Sequence, residues 1–134
     1  MKHIESEHQQ ALFEWAKLAS GGIHELKLMY HVPNGGKRDH AEAARLNAEG
    51  VKPGVPDIVL PVARGRYHGL YIELKAAGGK PTENQIEWLN SLSGQGYHAV
   101  ICYGWTAART VIEEYLRLPA AKAGMGGYLC QISA

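Results

Sequence analysis

Residues 54–75 read GVPDIVLPVARGRYHGLYIELK, and two short apolar runs organise them. Ile58, Val59 and Leu60 form the first, bounded by Pro56 and Pro61. The second alternates: Leu70, Ile72 and Leu74 fall on one side of an extended chain, and Tyr71, Glu73 and Lys75 fall on the other. Both runs have strand length, and Arg64-Gly65-Arg66 supplies a turn between them. The pattern predicts an antiparallel hairpin with strands over residues 57–62 and 69–75. Asp57 then stands at the head of a buried strand, where a carboxylate is costly unless something pairs with it or coordinates to it. Pro56 fixes the backbone where that strand begins.

A hairpin can bring Asp57 across from Glu73. Two hard oxygen ligands then converge as a Mg²⁺ site needs, with water filling the remaining positions. Residues two apart on a strand lie about 6.5–7 Å apart, so Glu73 can hold a metal while the Lys75 ammonium reaches an atom beside it. Hydrolysis of a phosphodiester needs an activated water, neutralised charge at phosphorus and a stabilised leaving oxygen. A divalent ion lowers the pKa of bound water and polarises the phosphoryl oxygen, and a nearby lysine can orient or deprotonate that water. A plain Glu–Lys salt bridge accounts for the same residues equally well. A Pro-Asp pair followed by E-x-K arises by chance in on the order of a few per cent of chains this long. The hairpin alone leaves both readings open.

Outward from the hairpin, residues 4–19 read as an amphipathic helix with Ile4, Ala11, Leu12, Trp15, Leu18 and Ala19 on its apolar face, ended by Ser20-Gly21-Gly22. A strand is expected over residues 26–32, stopped by Pro33-Asn34-Gly35-Gly36, and a short helix over 41–48. Beyond the hairpin and Gly78-Gly79 come a helix over 83–93, a strand over 99–103 and a helix over 107–116. Trp15, Trp88, Leu89 and Leu92 have the spacing of core residues. The order is helix, three strands, helix, strand, helix: an α/β chain with a small mixed β-sheet flanked by helices. A single domain is expected over residues 1–134, its core at about 4–117, with a tail from 118 holding a possible last strand at 128–132.

Composition narrows the class. With 46% hydrophobic and 20% charged residues the chain reads as globular and not as a disordered segment. No apolar run is as long as a membrane span. The polar start, MKHIESEHQQ, is no secretory signal, so a cytoplasmic location is expected. Cys102 and Cys130 lie in apolar runs and are expected to be reduced core residues, and no zinc-ligand spacing occurs among the seven histidines. A net charge of +1 excludes a strongly basic coat but leaves room for a local basic patch that nucleic acid could use.

The run HVPNGGKRDHAEAARLNAEGVKPGVPDIVLP at 31–61, then YIELK at 71–75, then T-x-x-Q and a tryptophan at 82–88, resembles the VRR-NUC (virus-type replication-repair nuclease) domain of the PD-(D/E)xK nuclease superfamily. The likeness spans roughly residues 7–116. It implies a restriction-endonuclease-like core and a DNA endonuclease using Mg²⁺ or Mn²⁺, with Asp57, Glu73 and the Leu74 carbonyl as ligands and Lys75 as the catalytic lysine. Family members also carry a glutamate on the first helix. Glu7 fits at the edge of the apolar stripe, where it could equally snorkel to water, while Glu5 and Glu14 lie farther off that face.

Gln85 has two explanations. Thr82 and Gln85 match a capping box, whereas the resemblance places this glutamine in the active site, and one side chain is not expected to do both. His31, Asn34, Gly35, Gly36, Lys37 and Arg38, with Arg45, Lys52, Arg64 and Arg66, could form a basic substrate surface around the site. A solvated charged loop and a structural histidine are the plainer readings. No element that reads bases is evident, so the expected substrate is DNA recognised by structure. Stand-alone members of that family resemble Holliday-junction resolvases, which implies branched DNA and a homodimer, whose interface residues 128–132 or the last helix could supply, in phage or bacterial DNA processing, with no membrane and no small-molecule cofactor. The alternatives are a monomeric flap or nicking nuclease and a non-catalytic DNA-binding module. Against the module stands the intact set of Asp57, Glu73 and Lys75.

Overall fold

The structure is a computed structural model that describes residues 2–33 and 39–121. Helix α1 (Lys2–Ala19) is followed by a 3₁₀ turn (His24–Leu28), strand β1 (Tyr30–His31), helix α2 (His40–Ala48), strands β2 (Ile58–Leu60) and β3 (Leu70–Lys75), helix α3 (Glu83–Gly94), strand β4 (His98–Tyr103) and helix α4 (Trp105–Arg117). The strands form one mixed sheet in the order β1-β2-β3-β4. β1 and β3 both run antiparallel to β2, whereas β3 and β4 are parallel. A parallel neighbour requires a crossover, and α3 supplies it.

The expected hairpin is present, with Ile58 opposite Ile72 and Leu60 opposite Leu70. Its alternation sorts the two faces of the sheet. Ile58, Leu60, Leu70, Ile72 and Leu74 join Leu12, Ala16, Ala108 and Ile112 in the main core, which α1 and α4 cover. Tyr71 points the other way and meets Tyr97 edge-on at 5.2 Å. Glu73 and Lys75 share that second face, where α3 lies. Cys102 is a buried free thiol, pushed up to about 11 by its burial.

Residues 26–32 do not form one strand. Leu26 and Met29 are both buried, and a spacing of three suits a 3₁₀ turn, where i and i+3 eclipse, better than a strand of period two. Only Tyr30 and His31 pair with β2.

The buried face of α1 also differs from expectation. Leu18 is 85% exposed and Ile4 44%, while Leu12 and Ala16 are buried. The inward stripe runs through Glu5, Gln9, Leu12 and Ala16, at the offsets 0, 4, 7 and 11 of one helical face. It is therefore rotated by most of one residue's step of about 100°. Polar side chains occupy its N-terminal half because that half lies over the candidate site and not over the core.

Loops complete the frame. Gly54 adopts φ +85°, and a Cβ there would meet the Asn84 backbone carbonyl carbon at 2.7 Å. The approach seats the segment before Asp57 on the first turn of α3. Gly54→Ala should cost at least about 2 kcal/mol, from the left-handed backbone and the clash together. Urea denaturation reads this effect, and a loss below half that value would show that the loop is free to shift.

Candidate active site

Asp57 sits one residue before β2, and three contacts hold it. Its carbonyl lies 2.7 Å from the Val32 amide, which donates to it, and 2.9 Å from the His31 ring Nδ1. Its carboxylate Oδ2 accepts from the Leu74 amide at 2.9 Å. The side chain is thus aimed across the hairpin at the residues flanking Leu74, which are Glu73 and Lys75.

Glu73 is 2% exposed and Lys75 8%. Lys75 Nζ stands 3.8 Å from Glu73 Oε2, too long for a tight ion pair. The Gln85 amide donates to the same oxygen at 3.1 Å. Glu73 Oε1 is buried and has no hydrogen-bond partner among the described residues. Burial pushes the Glu73 carboxyl up from 4.5 to about 8, helped by the charge of Asp57. Lys75 opposes that shift, and Glu5 adds a smaller push upward. Two crowded acids, one of them buried with an oxygen unsatisfied, form an arrangement that loses its cost when a cation enters.

Gln85 makes both of its candidate contacts. Its side-chain Oε1 accepts from the Thr82 amide at 2.9 Å and the Thr82 hydroxyl accepts from the Gln85 amide, so the capping box is closed. The expectation that one side chain could not also serve the site fails because a carboxamide has two ends. The carbonyl caps α3 while the NH₂ group holds Glu73. The donor at Thr82 fixes which end is which.

The VRR-NUC domain model matches residues 4–105. The chain belongs to the VRR-NUC domain family. A solved structure named as a VRR_NUC domain protein is similar to it with a TM-score of 0.73 and 32% identity, over 87% of this chain and 91% of that one. No curated protein matches the chain. The family carries a nuclease-type function with DNA as the partner, and the four-stranded mixed sheet with its flanking helices is the corresponding fold.

Within this VRR-NUC domain the other sequence-predicted residues are scattered. Glu7 is exposed on the side of α1 away from the sheet, whereas Glu5 is half-buried and its charge reaches Glu73. The rotation of the α1 stripe explains the exchange. Arg64 is also misplaced as a substrate contact. It donates to Glu25 Oε2 at 2.6 Å and to the Ala63 carbonyl at 2.9 Å, and its side chain is 12% exposed. Arg66 lies over the Tyr67 ring, 5.3 Å from its centroid. Both arginines stand on the β2–β3 turn, and Leu70 alone is already about 10 Å along the strand from Glu73. The turn points away from the acids.

Arg45 pairs with Glu49 at 3.1 Å on an exposed side of α2. His31 does stand beside Asp57, with its ring on the Asp57 backbone. Asn34, Gly35, Gly36, Lys37 and Arg38, the possible strand at 128–132 and Cys130 lie outside the described residues.

Two features escaped the sequence reading. Gln9 Nε2 is a buried donor without a partner among the described residues, one turn along α1 from Glu5; the Glu5-Gln9-Leu12-Ala16 offsets would have revealed it. Trp88 is not core. Its indole donates to the Pro53 carbonyl at 3.0 Å and lines an open groove.

The donor set suits a hard cation of the Mg²⁺ type. Among the described residues no three His, Cys, Asp or Glu side chains form a metal cage. A small hard cation needs none, because it keeps several waters and takes one or two carboxylates plus substrate phosphate. Asp57 and Glu73, with the unsatisfied Oε1, fit that demand. Among the described residues no helix is long and apolar enough to cross a membrane.

Proposed function

We propose that the chain is a divalent-metal-dependent DNA endonuclease that hydrolyses phosphodiester bonds, selects branched DNA by its structure and acts as a homodimer. The observation that carries the reading is the buried Glu73 carboxylate, one oxygen unpartnered among the described residues, set against Asp57 with Lys75 beside it. Asp57, Glu73 and the Leu74 carbonyl would hold Mg²⁺ or Mn²⁺, with Glu5 in place of Glu7 adding charge from α1. When bound, the ion supplies Lewis acidity and an acidified water.

The chain's own residues do the rest. The Leu74 amide keeps the Asp57 carboxylate turned toward Glu73. Gln85 holds Glu73 Oε2 and ties its position to the start of α3. Lys75, buried on the same face, orients the attacking water by donating a hydrogen bond to it and adds positive charge beside the reacting phosphate. His31 fixes the Asp57 backbone, and that is its role in the scheme.

The test is a panel of four-way junctions, flaps, nicked and linear duplexes incubated with Mg²⁺, Mn²⁺, Ca²⁺ or EDTA. Cleavage is expected with Mg²⁺ and Mn²⁺, strongest on branched DNA, and absent in EDTA. Cleavage that persists in EDTA overturns the metal mechanism, and equal cleavage of linear duplex overturns structure selection. Light scattering at working concentration reads the dimer.

A further inference from the structure

The groove beside the acids is apolar, has a volume of about 500 Å³ and is lined by Val32, Leu46, Val51, Lys52, Val55 and Trp88 among others. We propose that it receives one unpaired nucleobase of the DNA strand, from a nucleotide flanking the scissile phosphate, stacked on Trp88. The inference deepens the nuclease reading and rests on it.

Continuity places the groove next to the chemistry. Val55 is two residues before Asp57, at most about 7 Å of extended chain. Val32, on the same wall, donates its amide to the Asp57 carbonyl at 2.7 Å. On the opposite wall Trp88 lies three residues beyond Gln85, on the same side of α3 and one turn from it. Gln85 in turn bonds Glu73. The two segments that hold the acids therefore also form the groove.

Size and chemistry select the occupant. Sites for small organic groups run to about 300–1,000 Å³ and are mostly apolar with a few polar groups, as here. A protein–protein patch engages about 20–30 residues on each side, and the eight residues that line this groove among the described residues fall well short. Lys52 stands at the groove with a charge suited to a backbone phosphate. The indole is held by the Pro53 carbonyl, so its ring is fixed in place for stacking. Stacking on an aromatic ring accepts any base. A base can enter only where the duplex is open, so the groove would select structure without reading sequence.

The experiment is a cycle between protein and substrate. Binding to a junction is measured by fluorescence anisotropy in Ca²⁺, with an abasic site placed in turn at each nucleotide flanking the scissile phosphate. At one of the two positions the abasic site should weaken binding to the wild-type protein about tenfold. Trp88→Ala should lose a similar factor on intact DNA and be indifferent to the abasic site, and Trp88→Phe should restore most of the affinity.

The proposal is overturned by no abasic effect at either position on the wild type, by an equal abasic effect on Trp88→Ala, or by a Phe variant as weak as Ala, which would assign Trp88 to bracing Pro53. A Trp88→Ala variant that sediments as a monomer with its base dependence unchanged also overturns it, in favour of a second copy of the chain. Wild-type cleavage of the intact junction in Mg²⁺ is scored separately, so failure of the nuclease reading leaves the base cycle interpretable.

Discussion

Lys75→Ala should lower DNA cleavage by about a thousandfold, the range in which a positioned acid–base group acts, while DNA affinity stays within a few-fold. The separation follows from burial. At 8% exposure the lysine is not an outer anchor for DNA backbone, so its removal takes little binding away. Its ammonium lies 3.8 Å from Glu73 Oε2, at the point where a water next to the two acids would be met. Removing a positive charge there should, if anything, favour the cation that Asp57 and Glu73 are proposed to hold. Lys75→Arg should not rescue, because a guanidinium is wider and planar and does not reproduce a compact ammonium at this buried point.

Single-turnover cleavage and anisotropy in Ca²⁺, run on the same preparation after a thermal melt confirms the fold, read the two quantities. Full activity in Lys75→Ala removes the lysine from the mechanism. Equal losses of cleavage and binding reassign it to holding DNA.

How far the site was legible depends on which scale of pattern encodes each part. The hairpin register was readable because period-two alternation and the Pro56 and Pro61 brackets are local, and Ile58–Ile72 pairing follows from them. That register alone brings Asp57 to Glu73. The glutamate on α1 was misread because its facing is set by what covers the helix. Leu18 and Ile4 attract a hydrophobicity count yet lie in solvent, and the stripe that faces the sheet is half polar. Arg64 shows the same limit for charge: only the tertiary fold reveals that Glu25, 39 residues away in sequence, already pairs with it. Gln85 failed for a chemical reason, since a capping box and a site contact were treated as exclusive although a carboxamide offers an acceptor and a donor at once. The groove at Trp88 could not be seen at all, because Val32, Val51 and Trp88 come from three separate segments.

Glu73→Gln should abolish cleavage and yet stabilise the metal-free fold, by an amount that grows with pH. The sign follows from linkage. The carboxyl titrates at an ordinary 4.5 when unfolded and at about 8 in the fold. Between those values the native state holds a proton that the unfolded chain has released, so native stability falls as pH rises. Below about 4.5 there is no penalty, and above about 8 it is complete, on the order of a few kcal/mol. Glutamine removes the charge and keeps the shape.

The difference in unfolding free energy between variant and wild type in EDTA should therefore be small near pH 5 and favour the variant by pH 9. Taking the difference cancels the histidines, which titrate in the same window. Adding Mg²⁺ should reverse the order, since a ligand that binds the native state stabilises it in proportion to its occupancy and only the wild type keeps both acids. Urea titrations across pH, with and without metal, measure all of this. If Glu73→Gln is the less stable protein at pH 9 in EDTA, the attraction to Lys75 outweighs burial and the crowding by Asp57. The pair is then a structural salt bridge, and the case for a metal site in this cleft falls with it.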